Sequence, residues 1–499
     1  MEKSKVISMK VLLIQPPMII YPGDIPSVVP PLGLAYMAAV LEREGVKTKI
    51  IDAVADGWRH SRLFEDKPSH YGLGWTEIES IIQKESPDIA AISCLFSSQA
   101  KNAHKVAEII RRVDKDIVTI MGGAHPSALP ELVLADPNVD VVVIGEGEAT
   151  VLELTKKLES KNVQLNEIEG IAYRDKTNRV RINPYRPLIS NLDELPFPAR
   201  HLLPMEEYFS APAWHCRVVK HRRFTSMITS RGCPGKCTFC SIRTVWGRIW
   251  RSRSPESVVD EIEFLVEKYR IKEIHFEDDS ITLNPKRMEK ICNEIITRRL
   301  DIYWTTPNGV KITTLDKSLL RVMRKSGCYR LHFGIEHGDS EFRDKIIKKP
   351  ISIEHARKII KWAEEIGIWT DGFFIIGLPG ETEETVSSTI EFAKELDLST
   401  ANFFVASPYP GTELYKTSLE HGYIPQDMDW TDMRTSNPVL NTETFNSERL
   451  QAWQQKAYRE FLLYRLRKEI NPLKMLKRIK NIKDFDDLKF LLEIVKNAL

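Results

Sequence analysis

The sequence predicts two α/β bodies in tandem: a doubly wound parallel sheet, then an open, partial (β/α)6 barrel, followed by a helical C-terminal stretch. Three observations carry that expectation. Short apolar runs alternate with amphipathic segments over residues 10–158. A second series of strand-then-helix units fills about 225–420, and proline-punctuated NLDELPFPARHLLP (191–204) lies between the two. A chain of 499 residues also exceeds what one hydrophobic core usually supports. The expected units are residues 1–190, a linker at 191–224, a barrel at 225–425 and a helical 426–499.

In the first unit the strand candidates are 11–14, 46–51, 89–93, 118–121 and 139–144. Helical periodicity marks 32–44, 75–85, 102–113 and a short stretch after Ala128. Buried-looking strands with crossover helices predict a parallel sheet covered on both faces, flavodoxin- or Rossmann-like. Such sheets bind ligands beyond the carboxyl ends of their strands. The stretches there are LFSSQ (95–99), GGAHPS (122–127) and GEGEAT (145–150). Gly122, Gly123, Gly145 and Gly147 permit close backbone approach, and Ser97, Ser98 and Ser127 offer hydroxyls. Tight strand-to-helix turns without a ligand account for the same glycines equally well. His125, beside a proline turn, fits a surface or capping role as readily as a ligand role.

GIAYRDKTNRVRINP (170–184) reads as a small hairpin connector before the linker. In the second unit, strands near 225–229, 274–276, 303–306, 330–334, 372–376 and 402–406 alternate with helices. SPESVVDEIEFLVEKY (254–269) opens with Ser254 as N-cap and Pro255 at the first helical position. Six units fall short of the eight of a closed barrel, so an open one is expected, with its site at the carboxyl rim.

Composition excludes several classes. Hydrophobic residues at 42% and charged residues at 28% describe a folded globular chain, and a net charge of +2 gives no global field for nucleic acid. The apolar run 11–14 is too short for a signal peptide, and no apolar stretch approaches the length that spans a bilayer. Seven cysteines in a chain this long do not make a disulfide framework, so a reducing, cytoplasmic setting is expected.

Three of those cysteines, Cys233, Cys237 and Cys240, crowd into SRGCPGKCTFCSIR (230–243) with the spacing C-x3-C-x2-C. A tetrahedral zinc site wants four ligands, usually in two pairs, and no second pair is visible. Cys216, Cys292 and Cys328 are scattered, the last two in apolar contexts that suit buried, inert thiols. Three thiolates on one loop instead suit three irons of a [4Fe–4S] cluster, leaving the fourth iron open.

This loop, with Phe239 before its last cysteine, resembles the signature of the radical S-adenosylmethionine (SAM) superfamily. The resemblance implies that SAM chelates the open iron and is cleaved to a 5′-deoxyadenosyl radical. HFEDDSIT (275–282) resembles the acidic motif that meets the SAM ammonium, which marks Asp278 and Asp279. LHFGIEHG (331–338) places Glu336 where the family binds the ribose hydroxyls. IIGLPGET (375–382), with Gly377, Gly380 and Glu381, resembles the glycine-rich turn near the adenine.

GGAHPS and GEGE, followed by NLDELPFPAR and the cysteine loop, resemble the cobalamin-binding branch over about residues 10–420. That resemblance turns Ser97, Ser98, Gly122, Gly123, His125, Ser127, Gly145, Glu146 and Gly147 into expected cobalamin contacts. The D-x-H-x-x-G motif that supplies a histidine to cobalt in some cobalamin proteins is absent, so no lower ligand is assigned. The branch implies methyl transfer to an unactivated carbon, supported by an electron donor such as ferredoxin or flavodoxin. Ring closure or rearrangement, as in anaerobic chlorophyll-type cyclases and hopanoid-modifying relatives, stays open, as does a cobalamin or redox sensor. The SAM-binding motifs speak against the sensor. Tyr409 in SPYPGTELY (407–415) is either a cavity residue or a packed turn tyrosine. Residues 459–483 hold nine basic and two acidic residues, which suits a solvated helix face or a peripheral membrane contact.

Overall fold

Strand β1 (Lys10–Gln15) is buried through its four central residues, as a strand covered on both faces must be. It belongs to a computed structural model that describes residues 8–22, 24, 26–160, 163–211, 219–434 and 437–469. The first unit continues with β2 (Met18–Ile20), β3 (Lys47–Asp52), β4 (Ser69–Tyr71), β5 (Ile89–Ser93), β6 (Val118–Gly122) and β7 (Val141–Val143). It ends with β8 (Ile171–Arg174) and β9 (Val180–Ile182). Seven of these strands form one sheet in the order β3-β1-β5-β6-β7-β8-β9. The five strands from β3 to β7 in that order are parallel, in the 2-1-3-4-5 sequence of a flavodoxin-type sheet. The hairpin expected as a connector instead extends the sheet, with β8 antiparallel to β7 and β9 antiparallel to β8.

The second unit contributes β10 (Phe224–Met227), β11 (Ser230–Arg231), β12 (Arg251–Ser252), β13 (Glu273–Phe276), β14 (Tyr303–Val310), β15 (Cys328–Glu336), β16 (Trp369–Ile376) and β17 (Thr400–Val405). Six of them, β10-β13-β14-β15-β16-β17, pair in parallel and in chain order. Strand β17 is an edge, and the partial barrel is open there. The helix at Ser447–Glu469 covers that edge. Gln454 Nε2 donates to the Phe403 carbonyl at 2.7 Å, and the Phe403 N–H donates to the Tyr458 hydroxyl at 3.2 Å. Two side chains thus satisfy backbone groups that a seventh strand would otherwise take.

Among the described residues the helical reading of the C-terminal stretch holds over Ser447–Glu469. Among those described between 427 and 446, one short turn, Trp430–Asp432, and an isolated bridge between Arg434 and Asn437 stand where helix was expected. The basic run expected at 459–483 falls mostly beyond residue 469, outside the described residues, as does Cys216. Among the described residues no helix is long and apolar enough to cross a membrane.

The linker binds both units through buried polar contacts. Tyr208 donates to Asp52 Oδ2 at 2.7 Å, and the Ala199 N–H donates to the Ala35 carbonyl at 2.9 Å. Arg200 pairs with Glu261 at 2.6 Å, both side chains fully buried, and Glu261 also pairs with Arg253. Burial works against the Glu261 charge, yet the two guanidiniums outweigh it and hold the carboxyl below its usual range. Glu261→Gln leaves two buried guanidiniums uncompensated, so a loss of about 3–5 kcal/mol is expected in chemical denaturation; an unchanged midpoint and slope would show the triad to be dispensable.

Candidate functional site

The cysteine loop is pinned at both ends and in its middle. Strands β11 and β12 pair across its base. Gly232 there has φ +85°, and a Cβ would stand 2.4 Å from the Ile249 carbonyl oxygen, so only glycine fits. Thr238 donates its N–H to Ile347 O at 3.2 Å and its hydroxyl to Ile346 O at 3.0 Å. Its carbonyl accepts from Leu414 N–H at 2.9 Å. The loop therefore rests on segments that follow β15 and β17.

Cys233, Cys237 and Cys240 are all free and half-buried on this loop. Gly235 lies between the first two, with its Cβ position 3.3 Å from Cys233 Sγ and 3.8 Å from Cys237 Sγ. Burial pushes the Cys240 thiol up to about 12 and raises Cys237, so loading iron must displace protons. Among the described residues no three His, Cys, Asp or Glu side chains converge tightly enough for a single metal ion, the loop thiols included. Thiols spread along one braced loop fit a polynuclear cluster rather than a mononuclear centre. Phe239 turns into an apolar cluster with Phe342, Ile347, Ile375 and Leu414.

The neighbouring acids divide by what they already hold. Asp278 is buried and accepts from Thr229 N–H at 3.1 Å, the Thr229 hydroxyl at 2.8 Å and the Ser230 hydroxyl at 2.5 Å. These three donors, gathered on Oδ1, hold the strand before the cysteines, and Oδ2 shares only the Thr229 N–H. Asp279 takes only Gly232 N–H, at 3.1 Å, and stays partly exposed. Burial pushes its carboxyl up to about 7 against that hydrogen bond. Glu336 ends β15 with φ +70°, a left-handed backbone uncommon for a residue with a side chain. Its Oε1 pairs with Lys349 Nζ at 2.6 Å.

Three expected contacts have other employment. Glu381 is fully buried and accepts from Gly377 N–H, from Leu378 N–H at 3.1 Å and from His337 Nε2 at 2.9 Å, so it shapes the turn from within. Gly377 has φ +85°, and its missing side chain makes room for Leu450 of the C-terminal helix, 2.3 Å from the Cβ position. Tyr409 is tucked into its own turn, where burial raises its phenol and Ser407 bonds it. Gly380, by contrast, has open space about its Cβ position.

At the sheet edge Gly122 has room for a side chain, since the nearest atom to its Cβ position is 3.7 Å away. Gly123 does not. Its φ is +121°, and a Cβ would lie 2.5 Å from the Cys94 carbonyl oxygen. The Ser127 hydroxyl accepts from Gly145 N–H at 3.0 Å and so ties two neighbouring strand ends together. Gly145 has φ +80°, and a Cβ there would stand 3.7 Å from Val245 O; at Gly147 a Cβ would stand 3.2 Å from Met37 Sδ. His125 is buried, bonded through Nδ1 to Ser97 Oγ at 2.9 Å and set edge-on to Trp430 with ring centres 5.6 Å apart. Burial, then His104, lowers its imidazole to about 4, which keeps it neutral.

Glu146, expected among the cobalamin contacts, is buried between the two units. Its carboxylate bonds Arg231 and Arg251, both at 2.9 Å, and accepts Ile189 N–H at 2.7 Å. Glu148 adds a second bond to Arg231 at 2.6 Å, and the Arg231 guanidinium lies 4.4 Å from the Trp246 ring centre.

Four further residues were not singled out by sequence reasoning. Leu95 and Phe96 are 55% and 56% exposed beside Gly123, an apolar shelf at the sheet edge. They sit in a stretch where only the serines drew attention. Trp430 reaches this edge from the C-terminal loop, which is tied down by Lys101–Asp429 at 2.6 Å and Arg434–Asp24 at 3.0 Å. Lys349 is signalled only indirectly, by a glycine in the middle of strand β15. An open shelf with a small-residue rim fits a large, mostly uncharged planar ligand. Gly123→Ala is expected to destabilise the first unit by its forced φ and its backbone clash, read as a lower thermal midpoint. Gly122→Ala is expected to leave that midpoint unchanged; equal effects would show that the clash at Gly123 relaxes.

The comparisons agree with this arrangement. The Radical SAM superfamily description matches residues 227–393, and the B12 binding domain description matches residues 20–155. The cytidylyl-2-hydroxyethylphosphonate methyltransferase of Streptomyces wedmorensis is 35% identical over 460 residues, 87% of this chain and 86% of the relative. An uncharacterized methyltransferase of Pyrococcus horikoshii is 37% identical over 460 residues, 91% of this chain and 93% of its own. More distant is the anaerobic magnesium-protoporphyrin IX monomethyl ester cyclase of Rubrivivax gelatinosus, 28% identical over 459 residues, 91% of this chain and 78% of its own. Among solved structures, the radical SAM methyltransferase TsrM from Kitasatospora setae, with tryptophan substrate and a SAM analog bound, shares the fold. Its TM-score is 0.66 at 19% identity, covering 84% of this chain and 77% of that one. Matched in both units and over most of two methyltransferase-named relatives, the chain belongs to the cobalamin-dependent radical SAM methyltransferase family.

Proposed function

We propose that this protein transfers a methyl group to an unactivated carbon of a small substrate, using SAM, a [4Fe–4S] cluster and cobalamin. One observation carries the reading. The braced three-thiol loop of the barrel and the open edge of the first sheet are joined by buried ion pairs, so two cofactor sites share one interface. When bound, the cluster supplies one-electron cleavage of SAM, and cobalamin supplies the methyl carrier.

The chain's own residues bind and orient. Cys233, Cys237 and Cys240 are read as the cluster ligands. Asp279, partly exposed with one hydrogen bond, is the acceptor for the SAM ammonium; a bound cation favours its charged form. Asp278, buried and held by three donors from Thr229 and Ser230, positions the loop instead. Glu336 is read as the ribose acceptor and Gly380 as part of the open wall of the adenine site. Leu95 and Phe96, with Gly122 and Ser98 at the same edge, are read as the corrin seat, and neutral, buried His125 supports that seat from below through Ser97. An acidic one-electron donor of the ferredoxin or flavodoxin class and a cytoplasmic setting complete the reading, the latter supported by free thiols at every cysteine among the described residues.

The deciding experiment gives anaerobically reconstituted, reduced protein methyl-labelled SAM and a small-molecule extract. Label in a new product, with both 5′-deoxyadenosine and S-adenosylhomocysteine formed, is the expected result. Formation of 5′-deoxyadenosine with no transferred label would replace methyl transfer by ring closure or rearrangement. A second measurement separates the paired acids. Asp279→Ala is expected to weaken SAM binding about tenfold or more while iron content is retained. Asp278→Ala is expected to lower iron content itself, because it frees Thr229 and Ser230; the reverse pattern would exchange their roles.

A further inference from the structure

Arg434 lies where the C-terminal loop meets both units. Its carbonyl accepts the Ser407 hydroxyl at 3.4 Å, just beyond the carboxyl end of β17. Its guanidinium reaches the first unit, where Cζ stands 3.8 Å from the Tyr21 ring centre and Nη1 donates to Asp24 Oδ2 at 3.0 Å. The Asp24 N–H donates to the Tyr21 carbonyl at 3.0 Å, so ring and carboxylate belong to one turn. Ile19, just before that turn, donates its N–H to Gln99 Oε1 at 3.0 Å, beside the apolar shelf. Four residues before Arg434, Trp430 stands against His125. The guanidinium is thereby placed between the sheet edge and the barrel rim.

A guanidinium has five N–H donors, and this one spends one of them, on Asp24. The side chain is only 20% exposed, and its Nε is buried with no acceptor. Among the described residues the guanidinium makes no other hydrogen bond. Its unfilled side is the Nε–Nη2 edge, the pair of parallel N–H groups that takes a carboxylate or phosphate bidentately. The Tyr21 face fixes the plane of that edge, and Asp24 fixes its rotation. A strap between two loops would not need the edge, since a lysine would pair with Asp24 and strand no buried donor. One guanidinium can hold two anions at once, as Arg231 does with Glu146 and Glu148. Lys101, the other cation beside Tyr21, is already held by Asp429.

We propose that the Nε–Nη2 edge of Arg434 seats an oxyanion of the substrate, a carboxylate or a phosphate group, and that the molecule methylated is therefore a small anion. This rests on the reading of the interface as the site of methyl transfer. Arg434 holds the substrate by its charged end and directs the rest of the molecule into the interface. It is a binding residue: it positions the reacting carbon and takes no part in bond making.

The test uses the full chain with its cluster oxidised and with cobalamin and saturating SAM present, so that no turnover occurs. Ethyl phosphate and propionate are titrated in, followed by ³¹P and ¹³C line widths. Saturable broadening of at least one of them is expected, and the responding anion names the group. Arg434→Gln is expected to weaken it about ten- to a hundredfold. Asp24→Asn, which breaks the ion pair and spares the edge, is expected to retain it. No saturable binding of either anion, equal binding by Arg434→Gln, or as great a loss in Asp24→Asn overturns the proposal. If Arg434→Gln does not fold, Arg434→Lys decides: it keeps the charge without the fork, and unchanged binding there overturns the proposal. A separate measurement reads methyl transfer, where the labelled product is expected to be retained by an anion exchanger; a neutral or cationic product overturns the anion seat. Absence of any labelled product counts against methyl transfer alone, because anion binding is read without it.

Discussion

The site depends on a buried ion network that no single unit contains. Glu146 and Glu148 follow the first sheet's last parallel strand, while Arg231 and Arg251 stand at the two feet of the cysteine loop. Charges removed from water are tolerable only while paired and hydrogen-bonded, so sliding one unit against the other exposes an uncompensated charge. The network fixes where the sheet's carboxyl edge lies relative to the loop. Chemistry that passes a group between two cofactors needs that fixity more than it needs stability.

Adjacent residues of the same type meet different fates here, and burial with prior hydrogen bonding decides which. Asp278 and Asp279 are neighbours in sequence, yet the first is buried and holds three donors while the second is partly exposed and holds one backbone N–H. Glu381 and Glu336 differ likewise: the first is held by two backbone N–H groups and a histidine, the second by the Lys349 ammonium. Glu336 also holds a left-handed backbone, and strain of that sort persists only where the surroundings enforce it.

Much of the frame was legible in the sequence because its signals are local. Continuous apolar runs marked the parallel strands, Ser254 and Pro255 marked a helix start that the structure reproduces, and the cysteine spacing singled out the three-thiol loop. What escaped is relational. Glu146 looked like a ligand contact because its partners lie 85 and 105 residues away, and nothing near it in the chain names them. At Gly123, Gly147 and Gly377 a Cβ would run into Cys94, Met37 and Leu450, distant neighbours that nothing local announces. Gly334 did carry a local sign, a glycine inside a strand, but the sign points to a close approach without saying whose.

The uncapped side of the barrel has a consequence for what the enzyme family can accept. In a closed barrel, strand number and stagger together fix the diameter, and neither changes without rebuilding the whole sheet. Here the last strand ends on an amide and a phenol from one helix. The width of the lumen is therefore adjustable by the seating of that helix alone, through a handful of side chains such as Leu450, Gln454 and Tyr458. New substrates of different girth become reachable by substitutions on a surface element, with the strands, the thiols and the interdomain ion pairs left as they are.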